Sequence, residues 1–294
     1  MKKKLWLLAL GLAVSTILVA CGPGGDTASE GGEESKGTLE FRINNWAENI
    51  AVSNMWKILL GEEGYEVNLQ SAEKTVVFQD VARGEADIAP EVWLPYTDQS
   101  QWEEYGDDLV QGDSWYDGTV LGIAVPTYME DLNSIEDLNN YAEELDGTIY
   151  GIEPGSSIAG LTDEVVTEYG LELQHQPASE ATMLTELQRA YEAEEPVAVT
   201  MWSPHWALAE FDIKYLDDPK GVYGEPDNIF YVTRKDFADD FPELVPVFDA
   251  WKMDDTTLGA LMASINETGD PEEGAQAWID ENEDVWGPWM DELE

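Results

Sequence analysis

Pro196-Val197-Ala198-Val199-Thr200-Met201-Trp202-Ser203-Pro204-His205-Trp206 is the stretch whose reading decides the fold. Its apolar run from Pro196 to Met201 has the length and composition of a buried strand, and it delivers Trp202 into a turn. The pattern occurs twice more. The run Thr38 to Asn44 leads into Asn44-Asn45-Trp46-Ala47-Glu48, and Ala86 to Trp93 leads into Glu91-Val92-Trp93-Leu94-Pro95-Tyr96. In an open α/β sheet the carboxyl ends of the strands face the crevice where ligands bind. A Trp in that place is either core or a ligand wall. Three indole faces brought together suit a cation that cannot donate hydrogen bonds.

Outward from these runs, short strands alternate with amphipathic helices, the pattern of α/β architecture. Helices are expected over Glu48 to Leu60, where Ile50, Met55, Ile58 and Leu59 recur near helical spacing, and over Thr75 to Ala82. Tyr65 to Gln70 reads as a strand between them. Val120 to Val125, stopped by Pro126, reads as a strand crossing between two lobes, and Asn228 to Thr233 as the return. Ser134 caps a helix whose first turn carries Glu136 and Asp137, as the helix dipole favours. The strand Thr148 to Glu153 runs into Pro154-Gly155-Ser156-Ser157 and a helix from Ile158 to Tyr169. Such a turn exposes unpaired N–H groups and can seat a carboxylate or phosphate, although most are only caps. Ser179 to Glu194 reads as a long helix, and Pro242 to Trp251, Thr257 to Glu267 and Pro271 to Trp289 as closing helices. Trp251, Trp278, Trp286 and Trp289 on those helices are assigned to the core.

The N-terminus reads as an export signal: Lys2-Lys3-Lys4, the apolar run Leu5 to Ala20, then Cys21. Leu18-Val19-Ala20-Cys21 resembles a bacterial lipobox, which implies a lipid on Cys21 and anchorage to the outer face of a membrane. Cys21 is the only cysteine, so no internal disulfide is expected. Gly22 to Gly37, rich in Gly, Ser and Glu, reads as a flexible tether. The expected division is signal 1–20, tether 21–37, one lobe from 38–121 plus 230–294, and a second lobe from 122–229.

With 62 acidic against 14 basic residues and a net charge of −48, nucleic acid and anionic lipid headgroups are excluded as partners. Two histidines and one committed cysteine leave no material for a His/Cys metal site, and no cofactor is expected. The P-loop, G-x-S-x-G and H-E-x-x-H motifs are absent. Carboxylates are too numerous for their spacing to single out an acid–base pair, so nothing argues for an enzyme.

Taken together, the lipobox, Asn45-Trp46-Ala47-Glu48, Trp93-Leu94-Pro95, Glu153-Pro154-Gly155-Ser156-Ser157, Trp202-Ser203-Pro204-His205-Trp206 and Lys214-Tyr215-Leu216-Asp217-Asp218-Pro219 resemble the substrate-binding lipoproteins of glycine betaine ABC importers. The resemblance runs from about Thr38 to the C-terminus. It implies a two-lobed type II periplasmic-binding-protein fold with a ligand cleft between the lobes. It further implies a small quaternary ammonium ligand, an ABC permease as partner, a monomer, and a role in osmoprotection. By this resemblance Trp46, Trp93 and Trp202 match the cation cage, and Ser157 and Ile158 the backbone seat for the ligand carboxylate. Where relatives often read Trp-Leu-Pro-x-Thr-His, this chain has Asp98, and an ionised Asp98 repels a carboxylate. If Asp98 faces the cleft, choline gains ground over betaine; if it faces outward, betaine specificity rests on the backbone. His205 is a further candidate. Carnitine binding, or a surface hydrolase of choline esters using the same aromatic box, are the competing readings.

The excess of negative charge self-repels at low ionic strength and is screened where the Debye length falls to about 3 Å, near 1 M salt. The chain is therefore expected to work outside the cell of a salt-loving organism. Its melting temperature should rise with NaCl; a fall across a salt titration counts against the idea.

Overall fold

A computed structural model describes residues 35–293. The expected signal, the lipobox with Cys21, and nearly all of the expected tether lie outside the described residues. No helix among the described residues is long and apolar enough to cross a membrane.

The chain builds two five-stranded sheets on one plan. In the first, β1 (Gly37–Ile43), β2 (Tyr65–Ser71) and β3 (Ile88–Leu94) are parallel in the order β2-β1-β3. Helices α1 (Ala47–Glu62) and α2 (Lys74–Ala82) form the crossovers. After α3 (Gln99–Tyr105), β4 (Leu109–Asp117) takes the sheet edge. β5 (Val120–Pro126) then opens the second sheet, where β6 (Thr148–Gly151), β7 (Gln174–Pro177) and β8 (Val199–Ser203) are parallel in the order β7-β6-β8. Their crossovers are α4 (Ser157–Glu168) and α5 (Glu180–Glu192). β5 lies antiparallel between β8 and β9 (Ile213–Tyr215). β10 (Asn228–Arg234) then returns antiparallel between β3 and β4. The fold is the two-lobed α/β architecture expected of a periplasmic binding protein.

Each parallel set reverses its winding at its first strand, β1 or β6. The crevice beyond the carboxyl ends of β1 and β3 faces the one beyond β6 and β8. Trp46 follows β1, and Trp93 and Trp202 are the penultimate residues of β3 and β8. β3 is buried along its whole length, which is why its sequence shows no polar alternation.

The crossings are shorter than the sequence suggested. Val120–Pro126 and Asn228–Arg234 are sheet strands, and the chain changes lobe just before each of them. The two crossings are joined. Gly118 and Thr119 N–H both donate to the Asp227 carbonyl (3.0 and 2.8 Å), and Asp227 N–H donates to Thr119 Oγ1 (3.2 Å). Gly118 sits at φ +85°, a conformation that favours glycine.

Ser134 accepts from Glu136 N–H as expected, but the helix it caps, Ile135–Tyr141, is of 3-10 type. The single helix read over Pro271 to Trp289 is two, Pro271–Glu281 and Glu283–Met290, broken where Asn282 leaves helical geometry. The core assignment of Trp251, Trp278 and Trp289 agrees with their burial, while Trp286 is half-buried. Trp251 stacks on Trp115 at 4.3 Å and meets Trp56 edge-on at 5.4 Å, which ties Leu244–Ala250 and the residue after it to α1 and β4. Trp251→Ala is expected to destabilise by about 3–5 kcal/mol through the cavity it leaves, read as a lowered urea midpoint.

Candidate functional site

The facing crevices form one small cavity of about 30 Å³, lined from both lobes. Trp46, Trp93 and Trp202 all line it, and all three are buried. Ser157, Ile158 and Asp98 line the same cavity, so six of the seven residues read from the sequence converge there. His205 does not line it. It stands behind Trp202, edge-on at 4.7 Å, with Nε2 at 3.2 Å from Glu180 Oε1.

Each indole is held by its N–H, which donates to a carboxylate. Trp46 Nε1 reaches Glu153 Oε1 at 2.5 Å, Trp93 Nε1 reaches Glu91 Oε1 at 2.8 Å, and Trp202 Nε1 reaches Glu48 Oε2 at 3.0 Å. Anchoring the ring edge fixes the π-face that the cavity sees. The Trp46 and Trp202 bonds cross between lobes, since Glu153 follows β6 and Glu48 lies in α1. Two further contacts cross as well: Ala47 N–H, at the start of α1, donates to Glu180 Oε2 (3.1 Å), and Ser157 Oγ donates to Asp98 Oδ1 (2.7 Å).

The N-terminus of α4 forms as its sequence dictates. Ser156 is the cap, its Oγ accepting from Ala159 N–H at 3.3 Å. Ser157 and Ile158 follow it as the first two helical residues, so their N–H groups have no intrahelical acceptor.

Asp98 faces inward and is fully buried. Its Oδ2 accepts Trp93 N–H (2.9 Å) and lies 2.8 Å from Lys74 Nζ, which is also buried and lies 5.0 Å from the Trp46 ring centroid. The Asp98 charge that the sequence left open is thus paired. Lys74, Glu48, Glu91, Glu153 and Glu180 went unread at the sequence level. Glu48 and Glu91 sat inside the quoted tryptophan motifs, but carboxylates are so common here that their presence carried no signal. Lys74 had one: a cation at a helix N-terminus opposes the dipole and asks for a reason.

Burial pushes the Glu48 carboxyl well above the ordinary carboxylate range, and the charges of Glu91 and Glu180 raise it further. Burial likewise pushes Glu91 up to about 7 against the opposing pull of Lys74. Glu153 is raised mainly by burial. Glu48 Oε1 and Glu91 Oε2 have no hydrogen-bond partner in the protein. The three indole faces thus meet the cavity with buried carboxyl groups behind their ring edges. Among the described residues no group of three or more His, Cys, Asp or Glu is placed to hold a metal ion.

Residues 37–281 match the model of the substrate-binding domain of the ABC-type glycine betaine transport system, OpuAC. The chain belongs to this family. It is 32% identical to lactococcal OpuAC, whose crystal structure is a closed conformation with glycine betaine; the match covers 86% of this chain and 98% of that one, with a TM-score of 0.81. A glycine betaine/L-proline-binding protein, ProX, from Borrelia burgdorferi superposes at 0.81 with 26% identity, over 87% and 100% of the two chains. The glycine betaine/carnitine binding protein GbuC of Listeria monocytogenes is 37% identical over 155 residues, 52% of each chain. The alignment thus spans about half the length of that curated relative.

A carboxyl raised by burial stabilises the fold fully below its unfolded pKa, and the contribution is lost as pH rises through the folded value. For Glu91 that window runs from about 4.5 to about 7. Glu91→Gln should therefore gain stability relative to the parent as pH rises from 5 to 8, by about 1–3 kcal/mol. Parallel urea melts across that range measure the difference.

Proposed function

We propose that the chain is the extracytoplasmic substrate-binding component of an ABC importer and captures glycine betaine or a similar quaternary ammonium solute for osmoprotection. Family membership and the convergence of Trp46, Trp93 and Trp202 on one cavity support this reading. Cys21 would carry a lipid anchor, and the partner would be a membrane permease that meets the closed, monomeric form.

A trimethylammonium group spreads its charge over methyl groups and has no N–H, so a carboxylate cannot hydrogen-bond it and indole faces suit it better. Each cation–π contact contributes about 0.5–2 kcal/mol, the upper end when desolvated. Three of them with a carboxylate seat at the Ser157 and Ile158 N–H groups reach the roughly 8 kcal/mol of micromolar binding. Trp46 and Trp93 belong to the first lobe and Trp202 to the second, so closure completes the cage. The cross-lobe bonds from Trp46 and Trp202 make the cage and the closed state one construction.

Choline or carnitine is the alternative ligand; an Asp98 in the cavity speaks for choline, which has no carboxylate, only where its charge is left unpaired. Hydrolysis of a choline ester is the remote one, tested by incubating the ester with the protein and looking for product. Trp202→Ala is expected to weaken glycine betaine binding by about tenfold or more, the loss of one desolvated cation–π contact. Unchanged affinity by titration calorimetry would sink the cage.

A further inference from the structure

Lys74 is a buried cation that the cage does not account for. Basic residues are scarce in this chain, 14 against 62 acidic, yet this side chain is only 1% exposed. It also opens α2, where the dipole disfavours positive charge. Taking an ammonium out of water is costly unless its partners are well placed. Two of its three N–H groups are accounted for: Asp98 Oδ2 lies at 2.8 Å and the Glu91 carbonyl at 3.2 Å.

Asp98 is committed to the protein on both oxygens. Oδ1 takes the Ser157 hydroxyl at 2.7 Å, and Oδ2 takes Trp93 N–H at 2.9 Å as well as Lys74. The carboxylate is used up in holding its neighbours, while the ammonium retains a donor. Lys74 and Asp98 line the cavity alongside Thr97, Ser157 and Ile158. At this end the groups left uncommitted are one donor of the Lys74 ammonium, which stands 5.0 Å from the Trp46 ring centroid, the Ser157 and Ile158 N–H groups, and the Thr97 hydroxyl, which can act either way. Asp98 therefore does not make this end of the cavity acidic. It pins a cation there.

The geometry points to Lys74 as the residue that sets ligand class: held by Asp98, its ammonium meets the carboxylate of a zwitterionic quaternary ammonium compound and favours it over a quaternary ammonium alcohol. This assignment rests on the reading of the cleft as a quaternary ammonium site. It places glycine betaine ahead of choline although both carry the same trimethylammonium head.

Because the head is shared, the contribution of the cage cancels in the ratio of the two affinities. Titration calorimetry with glycine betaine and with choline measures that ratio for the parent chain, Asp98→Asn and Lys74→Met/Asp98→Asn. The double variant removes both charges together and should lower the betaine-to-choline ratio by about tenfold, the loss of one charge-assisted hydrogen bond. Asp98→Asn leaves Lys74 uncompensated and should raise the ratio. A ratio unmoved in the double variant, or lowered in Asp98→Asn, overturns the assignment. Asp98→Asn is nearly isosteric, so a lowered ratio in it overturns the assignment even if the double variant does not fold. A parent protein that binds neither ligand overturns the functional reading and the role of Lys74 with it. Intact parent binding with an unmoved ratio overturns Lys74 alone.

Discussion

Three indole N–H groups end on three glutamate carboxylates, and much of the cleft depends on that pairing. An unsupported Trp at a strand end would rotate to bury its face in the nearest apolar surface. Here Glu153, Glu91 and Glu48 hold the ring edges and leave the faces to the cavity. Such a hydrogen bond contributes about 0.5–1.5 kcal/mol net, and removing its acceptor would leave a buried donor unsatisfied at about 1–3 kcal/mol. The cost is desolvated carboxyl groups: Glu48 and Glu91 are fully buried, each with an oxygen left unpartnered.

The two lobes repeat one design. The orders β2-β1-β3-β10-β4 and β7-β6-β8-β5-β9 place corresponding strands alike, each sheet receiving one antiparallel strand from a crossing. Trp93 and Trp202 occupy matching strand ends. Trp46 and Ser156 are matching caps, on α1 and α4. Each of these helix starts meets a carboxylate from the opposite lobe, Glu180 at Ala47 and Asp98 at Ser157. Positive dipole ends facing each other across a cleft would repel; interposed carboxylates bind both.

The parts of this design that were legible in the sequence are those coded locally. Apolar runs leading to Trp46, Trp93 and Trp202 gave three strand ends, and Ser134 announced its helix through cap chemistry. The strand Leu109–Asp117 went unread because its polar edge positions and Gly112 break any apolar run. Gly112 is there because a Cβ would strike the Tyr231 ring of a strand more than a hundred residues away. The same distance hid Lys74. Its place at a helix N-terminus asks for a partner, but nothing within ten residues of it states that Asp98 will fold in beside it. The cavity-lining charges are tertiary facts, and an excess of surface carboxylates masks the few that are buried there.

The double crossing at Asp227 has a consequence for the entropy of capture. Asp227 ties both crossings together through Gly118 and Thr119, and its carboxylate also accepts Tyr96 and Thr97 N–H at 2.7 and 2.8 Å. Two lobes on one loose linker would explore many orientations, and closing them would forfeit that freedom. Two stapled strands leave little more than a single swing about their shared axis. The ordering cost of closure is therefore largely met when the chain folds, and less of the interaction energy of a ligand of only a few atoms is consumed in bringing the lobes together.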